Sequence, residues 1–229
     1  MKKFVWFASL LLLLPIAASA GIVEGFDDVA NLGASGWALI NNSDPLGTTG
    51  WFQGNPAVFA AQAGADGAYI AANFNNAGFG GNISNWLLTP VFSMGSPFRV
   101  VFWTRTEAGS IFPDSLEVRL STNGASTNVG STDTSVGDFS ILVLTINPTL
   151  AVGGYPEGWT RVEFDASGLG PSVSGRVGFR YLVTDTSVNG DYIGIDTFSQ
   201  TPVPEPLTLM TLGTGLLGIA VRRIRKDRV

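Results

Sequence analysis

Between Gly21 and Gln200 the apolar residues come in short runs of strand type, and nowhere do they recur at the i, i+3, i+4 spacing that gives a helix a buried face. The runs Arg99–Arg105, Leu116–Leu120, Ile141–Ile146, Trp159–Phe164 and Arg176–Val183 are rich in β-branched and aromatic residues, and Gly, Pro, Asn, Asp and Ser separate them. The first group suits a pleated, half-buried surface and the second makes turns, so the chain is committed to many strands with short connections. Leu116, Val118 and Leu120 alternate with Glu117 and Arg119, which places the glutamate and the arginine on an outward face. Ile141 to Leu144 has no polar interruption and is expected to be covered on both faces. Trp86-Leu-Leu-Thr-Pro90 reads as a strand ending at a proline, with Trp86 and Leu88 on one face and Leu87 on the other; Trp86 and Trp103 are expected inside. Roughly 180 residues with about ten or more strands predict an all-β fold, a two-sheet antiparallel β-sandwich of jelly-roll type.

Composition removes whole classes of chemistry. The chain has no Cys and no His, so thiol nucleophiles, disulfides, thiolate zinc sites and Ser-His-Asp machinery are all excluded, and any metal must be held by oxygen. From Gly21 to Val203 six arginines stand against sixteen Asp and Glu, a net charge of −10, and there is no lysine. Such a surface repels nucleic acid and other anionic polymers over roughly a Debye length of 8 to 10 Å, and it offers no amine for Schiff-base chemistry.

The two ends differ from this middle. Residues 1–20 read as a cleavable signal peptide: Lys2 and Lys3, an apolar core from Phe4 to Leu14 broken at Pro15, then the small-residue site Ala18-Ser19-Ala20. The far end, 201–229, has three parts: a stiff Pro-rich segment over 201–206, an uncharged apolar stretch over 207–221, and a basic end over 222–229 containing Arg222, Arg223, Arg225, Lys226 and Arg228. As a helix the apolar stretch is about 22 Å long at a 1.5 Å rise, short of the ~30 Å hydrocarbon core. It is nevertheless expected as a transmembrane helix, with the basic residues keeping the end in the cytoplasm. This ending resembles the PEP-CTERM sorting signal of Gram-negative bacteria, with Pro204, Glu205 and Pro206 as the motif. The resemblance implies export through the inner membrane, and anchoring by the C-terminal helix that is either transient or permanent. It also implies recognition and cutting by exosortase, a membrane protease of species that make exopolysaccharide, with a final site on the cell surface or in the extracellular matrix.

Residues 21–200 resemble the choice-of-anchor J family, relatives of the cleaved adhesin domains of bacterial surface proteases. The matching residues are Glu24-Gly-Phe-Asp27, Gly36-Trp37, Gly50-Trp51 with Gly54, Gly67-Ala-Tyr-Ile70, Asn85-Trp-Leu-Leu-Thr-Pro90, Val101-Phe-Trp103, Leu116-Glu-Val-Arg-Leu-Ser121, Trp159-Thr160, Gly178-Phe-Arg-Tyr181 and Tyr192-Ile-Gly-Ile-Asp196. The resemblance implies a last strand at Tyr192–Asp196 that delivers Asp196 to the sandwich edge beside the first strand. It also implies a structural calcium held by Glu24, Asp27, Asp66 and Asp196, with Asp28 and Asp44 as lesser candidates; a hard cation of this kind takes six to eight oxygens.

Other readings rest on the residues alone. Trp51, between Gly50 and Gln53-Gly54-Asn55, sits in a loop-like context and is the candidate platform for stacking a sugar ring, with Asn75, Asn76 and Asn82 as polar neighbours. Residues 121–138, fifteen of eighteen being Ser, Thr, Gly, Asn or Asp, read as a long mobile loop. Together the two resemblances imply a non-catalytic exported domain for adhesion or polysaccharide association. One alternative is a secreted glycoside hydrolase, for which Glu117 and Glu163 are the strand-borne carboxylates. The other is an accessory protein anchored permanently at the inner membrane.

Overall fold

A computed structural model describes residues 21–203. The signal peptide over 1–20 and the sorting motif, apolar segment and basic end over 204–229 lie outside the described residues. In chain order the strands are β1 (Ile22–Glu24), β2 (Ala38–Asn41), β3 (Asp44–Leu46), β4 (Phe52–Gln53), β5 (Ile70–Asn73), β6 (Ala77–Leu88), β7 (Phe92–Ser93), β8 (Phe98–Thr106), β9 (Leu116–Ser121), β10 (Ile141–Ile146), β11 (Thr160–Ala166), β12 (Ser174–Val183) and β13 (Tyr192–Pro202). All pairings are antiparallel. One sheet runs β11-β8-β13-β5-β4 with β1 also on β13; the other runs β10-β9-β12-β6-β2 with β3 on β6 and β7 on β12. The molecule is thus the two-sheet jelly-roll sandwich that the strand pattern predicts, and among the described residues no helix is long and apolar enough to cross a membrane.

Alternation along the strands divides the buried residues into three layers. Between the sheets lie Val100, Phe102, Ile193, Ile195 and Phe198 from one side and Val118, Phe179, Tyr181 and Leu87 from the other, all fully buried. Phe102 meets Phe179 edge to face at 4.9 Å and Phe179 meets Phe198 at 5.9 Å, the T-shaped arrangement that ring quadrupoles favour. Outside the first sheet, Phe59, Tyr69, Ala71 and Tyr192 form a second cluster under the 54–68 segment. Outside the second sheet, Trp86, Leu88, Val129 and Phe139 form a third.

Three sequence expectations need correction. Ile141 and Leu142 are 38% and 49% exposed, because they begin β10, the edge strand of its sheet. Trp103 is half-buried on the outer face of β8 rather than inside, since Phe102 and Thr104 take the inward positions. Residues 121–138 are not a free loop: the segment folds over β6 and β12, inserting Val129 beside Trp86 while Arg180 donates to the Asp133 carbonyl and Asn42 to the Gly130 carbonyl. Its Ser, Thr and Asn residues make local turns of the kind in which Asn128 Oδ1 accepts from Gly130 N at 3.0 Å.

Candidate functional site

Of the acids expected around a cation, Glu24, Asp27, Asp66 and Asp196 lie around the first strand and the middle of β13, whereas Asp44 lies on β3 opposite Asn82 of the other sheet. Glu24 pairs across from Phe198, two residues beyond Asp196, while Asp27 approaches the 62–67 segment closely enough that a Cβ on Gly64 would lie 3.3 Å from its Oδ1. Asp196 itself is not at a sheet edge. It lies in the central strand β13, at the point where β13 exchanges one neighbour, β5 (paired to Ile195), for another, β1 (paired from Phe198), and where the pairing to β8 slips between Asp196 and Ser199. Thr197 there has a φ of 48°, so the backbone turns and leaves a gap in the ladder.

The Asp196 carboxylate fills that gap. Its Oδ2 accepts from the amides of Gln62 at 2.7 Å and Ala63 at 3.1 Å, and its Oδ1 accepts from the Thr197 amide at 2.5 Å and hydroxyl at 3.3 Å. The side chain is fully buried, and burial raises its pKa against the lowering effect of these donors. Glu24 Oε1 accepts from Phe26 N at 2.8 Å, and Asp27, Asp28, Asp44 and Asp66 are exposed. Among the described residues no three acidic side chains converge as a metal cage. The oxygens are of the right kind for calcium, but their placement does not fit an ion held by Glu24, Asp27, Asp66 and Asp196 together.

The aromatic and carboxylate candidates also change roles. Trp51 is 6% exposed and belongs to the core between the sheets, so no sugar can stack on it. Its expected neighbour Asn76 does lie beside it, donating to the Gly50 carbonyl at 2.9 Å, but Asn76 is fully buried and Asn82 is turned to Asp133 instead. Glu117 faces out of its sheet, as alternation predicts, yet the 121–138 segment covers it to 8% exposure. It bonds Arg119 Nε at 2.7 Å and Arg180 Nη1 at 3.2 Å. Glu163 sits on the outward face of the other sheet, paired with Arg161 at 2.8 Å. The two glutamates therefore lie on opposite outer faces of the sandwich and cannot flank one glycosidic bond, which needs carboxyls within ~10 Å of each other.

A groove absent from the sequence reading lies at the start of β13, four residues before Asp196. About 330 Å³ in volume, it runs between β4, β5 and the start of β13, and its walls include Asn55, Phe74, Asn75, Glu107, Asp191 and Tyr192. Backbone bonds fix its shape: Phe74 N to the Asp191 carbonyl at 3.0 Å, Glu107 N to the Tyr192 carbonyl at 3.3 Å, and Asp191 N to Asp114 Oδ1 at 2.8 Å. In the sequence, Asn55 and Asn75 read only as neighbours of Trp51 and Tyr192 as part of the last strand, so nothing joins them into a site.

Comparison with known proteins assigns the tail and the fold. Residues 202–226 match the PEP-CTERM protein-sorting motif. The chain is therefore marked for export and membrane-associated sorting, and the motif begins at the last residue of β13. No curated protein sequence matches. Among solved structures, the K1 cleaved adhesin domain of Lys-gingipain from Porphyromonas gingivalis W83 is similar at a TM-score of 0.55 and 17% identity, over 81% of this chain and 100% of that one. The K3 domain of the same protein gives 0.53 and 17%, over 80% and 99%. At that identity the likeness concerns the fold.

Proposed function

We propose that this is an exported, non-catalytic protein of the cell surface or extracellular matrix, handed to an exosortase-type protease by its tail, whose jelly-roll domain serves adhesion or polysaccharide association. The observation that carries the proposal is the PEP-CTERM motif over 202–226, joined without a break to β13. Because β13 runs the length of the sandwich, eleven residues at ~3.3 Å each, the loops before Tyr192 stand about 35 Å from the point where the tail leaves. Those loops and the groove among them lie at the other end of β13 from Pro202. The engagement of Glu117 by two arginines, and its separation from Glu163, support a domain that binds rather than one that hydrolyses.

The test is the intact mass of the protein recovered separately from membranes and from extracellular matrix of its native host. A matrix form running from Gly21 to about Pro204 is the expected result. Recovery from membranes alone, with the chain still ending at Val229, would replace sorting by permanent anchoring and turn the search to inner-membrane partners.

A further inference from the structure

The groove opposite the tail has the chemistry of a sugar site, and we infer that it binds an uncharged sugar unit of a polysaccharide, with the ring against Phe74 and its hydroxyls on Glu107, Asp191 and the neighbouring asparagines. This deepens the polysaccharide reading above and rests on it. At about 330 Å³ the groove falls in the range of small-molecule sites, ~300 to 1,000 Å³. Phe74 is 46% exposed in a wall otherwise rich in hydrogen-bonding groups. A half-exposed ring of this kind is unfavourable in water and suits the apolar C–H face of a pyranose or furanose.

The polar groups complement hydroxyls. Among the described residues the side chains of Glu107, Asp191 and Asn75 have no hydrogen-bond partner, and Asn55 uses only its Oδ1, on the amide of Ala57 at 3.0 Å. Carboxylates accept from vicinal hydroxyls, while an asparagine amide both donates and accepts, which is the mixture that a ring of hydroxyls requires. No Arg or Lys lines the groove, and two carboxylates do, so acidic sugars and phosphates are repelled. A bare cation is disfavoured because no three acids converge there and it has no use for the aromatic wall.

The site is also held rigid before any ligand arrives. Tyr192 forms its floor, 6% exposed, with its hydroxyl accepting from the Asn55 amide at 3.0 Å and bonded to the Tyr69 hydroxyl at 3.1 Å. Phe52 packs edge to face on Tyr192 at 5.8 Å. A preformed wall lowers the ordering cost of binding a flexible polymer.

Retention of the full-length chain, kept in mild detergent, would be measured by affinity electrophoresis in gels carrying a neutral glucan, galactan, mannan or xylan, or the acidic polymer alginate. The expected result is retention on at least one neutral polymer, weakened about tenfold or more by Phe74→Ala and by the pair Glu107→Gln with Asp191→Asn. All these side chains are surface groups without structural partners, so unchanged melting temperatures should accompany the loss. Retention on a neutral polymer that survives both variants would overturn the groove and leave the polysaccharide reading standing; retention on alginate alone would overturn the uncharged class. No retention on any polymer would overturn both readings together.

Discussion

The Tyr181 hydroxyl donates to Asp114 Oδ1 at 2.5 Å, and neither side chain is more than 1% exposed. Asp114 Oδ2 accepts from Thr106 Oγ1 at 2.5 Å, and Oδ1 also accepts the Asp191 amide that borders the groove. The carboxylate thus ties β8, β12 and the start of β13 at one point. Burial pushes its pKa up to about 6, even though these hydrogen bonds pull the other way.

That shift fixes the sign of a pH dependence. Between about 4 and 6 the folded protein binds a proton at Asp114 that the unfolded chain has released, so stability falls as pH rises through this window, by at most about 3 kcal/mol. In Asp114→Asn the amide oxygen still accepts from Tyr181 and Asp191, and its Nδ2 donates to Thr106 Oγ1, which retains its own bond to the Tyr192 carbonyl at 3.1 Å. Urea unfolding at pH 4.5 and pH 7 should find this variant folded and its stability less pH-dependent than that of the parent. An equal pH dependence in both proteins would remove Asp114 as the source.

The two glutamates weighed as a hydrolase pair contrast a buried with an exposed ion pair. Burial alone would raise the Glu117 pKa, but Arg119 and Arg180 outweigh it and hold the carboxyl below its usual range. Glu117→Gln leaves Arg180, with its side chain 4% exposed, lacking its counter-charge and should cost about 3 kcal/mol or more. Glu163→Gln breaks an ion pair whose side chains are 46% and 44% exposed, worth under ~1 kcal/mol. Chemical denaturation of both variants measures the contrast; equal costs would mean that the 121–138 cover does not desolvate Glu117 in solution.

Gly54 and Gly194 face the aromatic cluster outside the first sheet. A Cβ on Gly54 would lie 2.3 Å from the Tyr69 ring, and one on Gly194 would lie 2.9 Å from Trp159 and 3.0 Å from both Phe59 and Tyr69. Tyr69 cannot give way easily, being stacked on Phe59 at 5.0 Å with its hydroxyl bonded to the Asn55 carbonyl at 2.9 Å. Alanine at either position should destabilise by about 1 to 3 kcal/mol, seen as a fall of several degrees in melting temperature. If Gly194→Ala melts like the parent, the cluster is looser than its ring distances imply.

These glycines also indicate what the sequence made legible. The strand runs announced a sandwich because period-two alternation is local, and Leu116, Val118 and Leu120 all point inward as it requires. Burial by a later segment is not local. Nothing near Trp51 reveals that it joins the core, and nothing near Glu117 or Ile141 tells which outer face 121–138 will cover and which it will leave bare. The groove was hidden for the same reason: Asn55, Phe74, Glu107 and Asp191 come from four connections whose meeting is a property of the topology. Only the sorting tail, whose signal is linear, could be read outright from the residues.

Asp196 presents the last case, a residue expected at the sandwich edge that lies instead in a central strand with amides as its partners. With both oxygens accepting from Gln62, Ala63 and Thr197, it holds the 60–67 segment over the break between β5 and β1. Asn at this position offers one acceptor oxygen and an NH2 group that only donates, so at least one buried amide loses its acceptor, at a cost of about 1 to 3 kcal/mol. Asp196→Asn should therefore lower the melting temperature and speed hydrogen exchange at the amides of Gln62 and Ala63, with little effect at the groove end. Because those donors already surround the carboxylate, millimolar calcium is expected to leave the melting temperature of the parent unchanged. A ligand that binds only the folded state raises it by mass action, so a calcium-dependent rise that disappears both in Glu24→Ala and in Asp196→Asn would make Asp196 an ion ligand and displace the latch.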